Sequence, residues 1–539
     1  MTPRRALVLL IVISAGVRLL AAGLLGLGND EAYHFLYAAH PALSYYDHPP
    51  MLAWTEQLGL FLTGETYSPL ALRLGFIAMF AGSTWLMARI AARWHGPWAG
   101  FFAAMALNLT AYYGLAASTF ALPDGPLLFF WLLTLDRLST AIDDDRRTIP
   151  WLGVGLTWGC AMLSKYHAIF LPAGAVLYLA LTPSKRRLLL RPGPYVAIVV
   201  GLLVFSPVLV WNATHGWASF VFQGGRAVGG ITPRPDCLAI ALLAQSGYLL
   251  PWIWLPLMAV LVRDLRRWWR LENQGERLAL ALAVLPFAAF TMVACFRPVL
   301  PHWGLIGLVS LFPALGREWA EHWSKTPARV RRSLCMAAGF SVVLLGLTLV
   351  EYRTGMLQRV EGSRWGLFKA QADPTGDLYG WDQVAAGLEK LGALSDPDAF
   401  LVTRYWYQSA QVAHAINLRR PVLCYNIDDP RGFAFWSKPN EFVGRDAVLL
   451  AINDEMIPLP FYQRWFTETS SLGEFTVERM GKPLRKVRAY RLRNQRAAFP
   501  YTFSPERIAA REMLRAGRHP MDATSLSAGR MPAVPVIRR

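Results

Sequence analysis

The chain has 539 residues, of which 54% are hydrophobic, with 21 tryptophans and a formal net charge of +18 at pH 7. A mean hydropathy of +0.29 excludes an ordinary soluble enzyme. The Lys and Arg residues stand between apolar runs and near the C-terminus, which excludes the nucleic acid partner that a basic balance otherwise suggests.

The first apolar run, Ala6 to Leu27, follows Arg4 and Arg5. It has the length of a full span and ends in Gly28-Asn29-Asp30-Glu31 with no small-residue cleavage pattern, so it reads as a retained helix rather than a signal peptide. About eleven apolar segments have the length or close pairing of bilayer helices. They begin near Ala6, Leu70, Trp98, Pro126, Ile149, Ala168, Pro194, Cys237, Leu278, His302 and Leu334. Lys and Arg cluster after every second segment, at Arg89 and Arg93, Arg137 to Arg147, Lys185 to Arg191, Arg263 to Arg277 and Arg317 to Arg332. The opposite links are nearly bare, which predicts a cytoplasmic N-terminus and places everything after Val350 outside the cytoplasm.

Three regions follow. Residues 1–350 are expected to form a mostly α, polytopic membrane bundle. Residues 351–493 turn polar and mixed. They carry a helical stretch at Trp381 to Leu391 and strand-like runs at Ala399 to Tyr405, Pro421 to Tyr425, Ala447 to Ile452 and Val487 to Leu492. That pattern predicts a small soluble α/β domain. Residues 494–539 are rich in Arg, Ala, Ser and Pro without periodicity, as expected of a disordered basic tail. Cys160, Cys295 and Cys335 lie in apolar runs, Cys237 at the edge of one, and Cys424 stands alone, so no disulfide framework is implied.

Ionisable groups at membrane depth are costly, so those outside the basic loops carry the information. Asp30 and Glu31 end the first run. Asp47 and His48 sit in Tyr45-Tyr46-Asp47-His48-Pro49-Pro50, Asp124 in Leu122-Pro123-Asp124-Gly125-Pro126, and Lys165 in Ser164-Lys165-Tyr166-His167. Arg226 and Arg234 follow the seventh segment, and Arg297 and His302 flank the turn before Trp303. All fall at outer helix ends, where they can converge. Carboxylates together with cations fit sugar transfer from a phosphate: a base takes the acceptor's proton and cations stabilise the departing phosphate. Bland readings exist for each. Asp30 or Glu31 can be a solvated helix end, Asp124 a helix cap, and Lys165 a side chain reaching to the interface. Arg18, inside the first run, can pair with a carboxylate or with lipid phosphate, and the sequence does not decide between them.

No phosphate-binding glycine loop followed by Lys-Ser/Thr occurs, which argues against an ATP-driven pump. Asp143-Asp144-Asp145 reads as a solvated charge run. Asn108-Leu109-Thr110 and Asn212-Ala213-Thr214 match the glycosylation pattern by coincidence, the first lying inside a helix.

The ordered set Asp30-Glu31-Ala32-Tyr33, Tyr45 to Met51, Pro123 to Leu127, Leu163 to Tyr166, Trp211 to Trp217 and Pro301-His302-Trp303 resembles the bacterial branch of the dolichyl-phosphate-mannose–protein mannosyltransferase superfamily. That branch includes the aminoarabinose transferases acting on lipid A. Asp373-Pro374-Thr375 and Tyr379 to Asp382 match more loosely. The resemblance implies the GT-C fold, a polyprenyl-phosphate sugar donor, and inverting transfer outside the cytoplasm to a lipid, glycan or protein. It makes Asp30 the base, with Glu31 and Asp124 as further acidic members. Lys165, Arg226, Arg297 and His302 are the expected phosphate ligands, and Tyr33, Tyr46, Asp47, His48 and Trp303 the expected sugar contacts. Tyr33 stands where the aminoarabinose transferases look to carry Arg, and Asp47-His48 where they look to carry Glu-Lys, so two cations are missing from the first outer loop. No energy-supplying cofactor is needed. If a divalent metal is held, Asp47 with His48 or His215 are its candidate ligands. The rival readings are a flippase of lipid-linked sugars, which predicts internal repeats and broken helices, and a lipid-linked glycan polymerase or ligase.

Overall fold

The computed structural model describes residues 1–64, 67–144, 147–227, 232–359, 366–438, 440–453 and 459–501. Helix α1 (Pro3–Leu24) starts on Thr2, whose hydroxyl accepts from the Arg5 amide, with Pro3 at its first position. The link between the first two expected segments is itself partly helical. It holds two short helices, α2 (Asn29–Ala39) and α3 (Met51–Leu62), and α3 leaves Trp54, Leu58, Phe61 and Leu62 exposed along one side.

Helix α4 (Pro69–His95) crosses the bundle. A pair follows: α5 (Pro97–Asn108), then a π turn at Tyr112–Ala116 and α6 (Ala117–Thr119), bent by 83°. Next come α7 (Asp124–Asp143), α8 (Ile149–Ser164), α9 (Phe170–Leu181), α10 (Pro192–Thr214) and α11 (Ala218–Ala227). Helices α12 (Pro235–Leu249) and α13 (Pro251–Arg266) are bent by 114° where Leu250 takes a positive φ ahead of a proline. Helices α14 (Gln274–Ala294), α15 (His302–Val309), α16 (Phe312–Lys325) and α17 (Pro327–Thr354) complete the bundle. Among the described residues six helices are long and apolar enough to cross a membrane, or up to eight with each bent pair taken as one span, so this is a multi-pass membrane protein. Small residues let helices close on one another: a Cβ on Gly201 of α10 would lie 2.1 Å from the Trp158 ring of α8.

Basic side chains gather at one end of the bundle. Arg89 and Arg93 reach Asp136, Lys185 reaches the Ile142 carbonyl, Arg317 pairs with Glu276, and Arg263 with Glu318. The sheet unit sits at the other end. It contains α18 (Trp381–Lys390), β1 (Phe400–Thr403), α19 (Trp406–Ala415), β2 (Val422–Cys424), α20 (Phe433–Trp436), β3 (Ala447–Ile452), β4 (Phe466–Arg479) and β5 (Lys482–Gln495). The order is β2-β1-β3-β5-β4, with β1 parallel to β2 and β3, and β5 antiparallel to β3 and β4. Strands β1 and β3 are buried on both faces, which is why they read as continuous apolar runs. Strand β4 was not foreseen: at the sheet edge it is mostly polar and carries no apolar run.

Packing also extends beyond the expected boundary at Arg493. Phe499 and Tyr501 are buried, with Phe499 stacked on Tyr425 at 4.2 Å. The rest of the expected tail, residues 502–539, lies outside the described residues.

The sheet unit docks through α19 onto the turn between α1 and α2. Gln411 donates to the Leu27 carbonyl at 2.9 Å, and a His414 ring nitrogen lies 2.9 Å from the Tyr67 carbonyl.

Candidate active site

At the sheet end of the bundle a cavity of about 370 Å³ gathers groups from widely separated parts of the chain. Asp30 comes from the start of α2, Asp47 and His48 from the loop before α3, and Asp124 from the start of α7. Lys165 follows α8, and His302 and Trp303 open α15. These members of the expected set line one cavity, and Glu31, Tyr46, His215, Arg234 and Arg297 are not among its lining residues.

Its centre is an ion pair. Lys165 Nζ lies 2.7 Å from Asp124 Oδ2, with both side chains buried. Asp124 makes no capping bond at the start of α7, so its carboxylate is turned to Lys165 instead. Lys165 sits in an extended conformation just past α8 and points inward rather than to the interface. Gly125 permits this arrangement, since a Cβ there would lie 2.7 Å from the Ala117 carbonyl on the bent segment.

Asp30 is exposed. It lines both this cavity and a second pocket formed by the α1–α2 turn, Pro374, Leu378, Trp406 and Tyr407. It is the carboxylate at the junction of the two spaces.

Glu31 belongs elsewhere. Arg73 grips both of its oxygens, Nε to Oε1 at 2.8 Å and Nη2 to Oε2 at 2.6 Å. The amides of Ala121 and Gly28 add bonds of 2.9 and 3.0 Å. Arg73 also donates to the carbonyls of Ala22, Leu25 and Gly26. Every lone pair of this carboxylate is occupied and the side chain is buried at the wall of the second pocket, so it pins the turn after α1 and is unavailable as a base.

Asp47 is buried and receives the Tyr33 hydroxyl at 3.0 Å, the Tyr37 hydroxyl, and Arg431 Nη1 at 2.9 Å. Burial pushes its pKa up, but Arg431, His48 and the Tyr37 hydroxyl outweigh that and leave it below the ordinary carboxylate value. His48 is pushed down to about 3, chiefly by burial, with His34 and Lys165 acting the same way against the pull of Asp47 and Asp124. Tyr33 lines the cavity, whereas Tyr46 packs on Phe222 and Phe435 away from it.

The expected metal ligands do not assemble. His215 stacks on Trp211 at 4.2 Å, with Nδ1 2.7 Å from the Trp211 carbonyl, and Asp47 is filled by its three donors. Among the described residues no group of three or more His, Cys, Asp or Glu side chains could hold a metal ion. Arg297 does not line the cavity, Arg234 pairs with Asp236 at 2.7 Å, and the Arg226 side chain lies outside the described residues.

Sequence reasoning missed Arg431, Tyr112 and Tyr248. Arg431 comes from the sheet unit, at a positive φ just before α20, and reaches into the cavity between the rings of Phe222 and Trp406. The next residue, Gly432, donates its amide to the Tyr33 hydroxyl at 2.8 Å. This guanidinium brings a positive charge to the loop that carries Asp47. Nothing in a polar turn of a soluble unit signals such a role. Tyr112 stacks between His302 and Tyr248, at 5.0 and 5.1 Å. A signal existed in the polar Asn108, Thr110 and Gly114 interrupting an apolar run.

Residues 47–211 match the model of the dolichyl-phosphate-mannose-protein mannosyltransferase family. The lipid A galacturonosyltransferase RgtD of Rhizobium johnstonii is 31% identical over 191 residues, which span 34% of this chain and 38% of that protein. Two crystal structures of ArnT from Cupriavidus metallidurans share the fold. The apo state matches at a TM-score of 0.57 and 17% identity, and the state bound to undecaprenyl phosphate at 0.59 and 18%. Both cover 89% of this chain and 97% of the other. Residues 47–211 therefore carry the pattern of that mannosyltransferase family, and the fold as a whole is that of ArnT.

Proposed function

We propose that the protein is an inverting glycosyltransferase that moves a sugar from a polyprenyl-phosphate donor to a hydroxyl of a lipid, glycan or protein acceptor. In this reading it resides in a bacterial inner membrane, with its N-terminus cytoplasmic and the cavity and sheet unit periplasmic. The observation that carries the reading is Asp30 at the junction of two pockets, beside a buried Lys165–Asp124 pair. The relative named for galacturonosyl transfer to lipid A and the ArnT structure bound to undecaprenyl phosphate support the donor and acceptor classes.

The acceptor hydroxyl approaches Asp30 from the second pocket. Its oxygen attacks the anomeric carbon as the bond from that carbon to the phosphate oxygen breaks, and its proton passes to Asp30. The bonding electrons leave with the phosphate, whose growing charge draws Lys165 and Arg431 away from full commitment to their carboxylates. His302 and Trp303 line the sugar's side of the cavity.

A flippase predicts broken helices, and two helix pairs here are bent. Both breaks set a tyrosine, Tyr112 or Tyr248, into the cavity that holds the Lys165–Asp124 pair, which favours chemistry over passage.

The test is transfer by lipid-reconstituted protein from a panel of radiolabelled polyprenyl-phosphate sugars to an envelope extract. Asp30→Asn should lower the rate by about 10²–10⁴-fold with donor binding retained. Equal rates would remove Asp30 as base, and donor movement across the bilayer without transfer would favour the flippase.

A further inference from the structure

Arg18 takes no part in the cavity, yet it makes more contacts than an apolar helix needs. The break between α5 and α6 explains them. A bend of 83° within a span exposes the last carbonyls of one arm and the first amides of the next, with no water to fill them. Polar side chains fill them here. Thr110 Oγ1 accepts from the Gly114 amide at 2.9 Å and donates to the Leu107 carbonyl at 2.8 Å. Asn108 Nδ2 donates to Thr84 Oγ1 at 3.0 Å and to the Ala104 carbonyl at 2.9 Å. The guanidinium of Arg18 then spans the break. Nη2 donates to Asn108 Oδ1 at 3.2 Å on the α5 arm and to the Gly114 carbonyl on the far arm, while Nε donates to Ser118 Oγ at 2.7 Å in α6. Nη1 is anchored on its own helix by the Ser14 carbonyl at 2.6 Å. The Phe80 ring lies 4.3 Å beneath. These four acceptors are neutral, so a cation at membrane depth is held here by oriented dipoles.

We propose that Arg18 is a positioning residue that clamps the two arms of the broken span and thereby sets Tyr112 in the cavity wall. The arms pass so closely that a Cβ on Gly114 would lie 2.2 Å from the Asn108 carbonyl. Two residues earlier, Tyr112 faces the other way, stacked between His302 and Tyr248 with interplanar angles of 13° and 11°. The wall is one chain thick. Gly114 and Leu250 line an apolar crevice along α1 together with Arg18, while Tyr112 and Tyr248 line the cavity with Asp124 and Lys165. Release of the clamp therefore moves the ring stack directly. Only the kinetic arm of the test below rests on the transfer reading.

The experiment places 3-fluorotyrosine at position 112 of the full chain in lipid nanodiscs and follows its ¹⁹F resonance. In Arg18→Gln the resonance should move and broaden while the protein remains monodisperse. Arg18→Lys keeps the charge but cannot bridge both arms, and should give the same change. Asn108→Ala, which removes one arm's contact, decides the matter if Arg18→Gln does not fold, and should shift the resonance in the same direction. An unmoved resonance in the folded variant, or full restoration by lysine, would overturn the clamp. In the transfer assay Arg18→Gln should lower kcat/KM on the order of 100-fold through misplacement alone. A shifted resonance in a protein that transfers nothing would leave the clamp standing and count against the transfer reading.

Discussion

Two carboxylates, Glu31 and Asp124, lie in the first turns of α2 and α7, are buried, and pair with a cation at 2.6 and 2.7 Å. Their surroundings differ completely. Glu31 is saturated by Arg73 and two backbone amides and seals the turn after α1. Asp124 and Lys165 line an open cavity with the Tyr112 and His302 rings beside them. Asp47 stands between the two extremes, held by Tyr33, Tyr37 and Arg431 yet still lining the cavity. A buried charge is thus not by itself a sign of chemistry. What separates a brace from a site is whether the pair's acceptors are all spent.

The largest effect should come from breaking the brace. Arg73→Met leaves the buried Glu31 without its ion-pair partner, at a cost of about 3–5 kcal/mol. The expected outcome is loss of monodisperse protein on size exclusion, where an equal loss in Lys165→Met would erase the distinction. Lys165→Met should instead stay folded, because Asp124 lines a cavity rather than packed protein, and lose transfer by about 10²–10³-fold. Retained transfer with retained donor binding would remove Lys165 from the chemistry. For Arg431→Ala the expected loss of transfer is smaller, about tenfold, because this guanidinium is 16% exposed and shared between Asp47 and Asp429. Should Arg431→Ala cost as much as Lys165→Met, the sheet unit supplies a principal cation of the site.

The same contrast explains what was legible in the sequence. That Asp30, Asp47, Asp124, Lys165, His302 and Trp303 share one cavity could be anticipated because charged and aromatic residues at helix ends stand out against apolar runs. Which acid is spent could not be found that way, because Arg73 reads as an ordinary flank of α4, 42 residues from Glu31. Arg431 was hidden for a similar reason, being 384 residues from Asp47 in a turn like any other. The bundle was visible from its charge alternation and β1 and β3 from their apolar runs. Helix α19 and strand β4 were not, since one is half polar and the other lies at an edge where burial imposes no pattern.

The smallest expected effect tests the dryness of the region between the two extremes. His48 is held near pKa 3 in the folded protein, while an unfolded histidine titrates near about 6.5. The unfolded chain therefore takes up the proton first. His48 adds nothing to the pH dependence of stability above about pH 6.5, and it destabilises increasingly as pH falls from there toward 3. Asp47, whose pKa is also depressed, behaves differently. Its contribution is fully present above the unfolded value of about 3.9 and is lost only as pH falls below it. Between pH 6.5 and 5 the two do not overlap, so the histidine can be read alone. His40 and His414 are lowered by burial as well and give slopes of the same sign, which cancel when variant and wild type are compared at each pH. His48→Gln should flatten the fall in Tm across that window by about 2 °C or more, measured by intrinsic tryptophan fluorescence in one detergent. Parallel curves would mean that the His48 imidazolium finds a partner or water in the folded protein. The region around Asp47 would then be wetter than the brace at Glu31, and the gradient from closed to open acid would begin one residue group earlier.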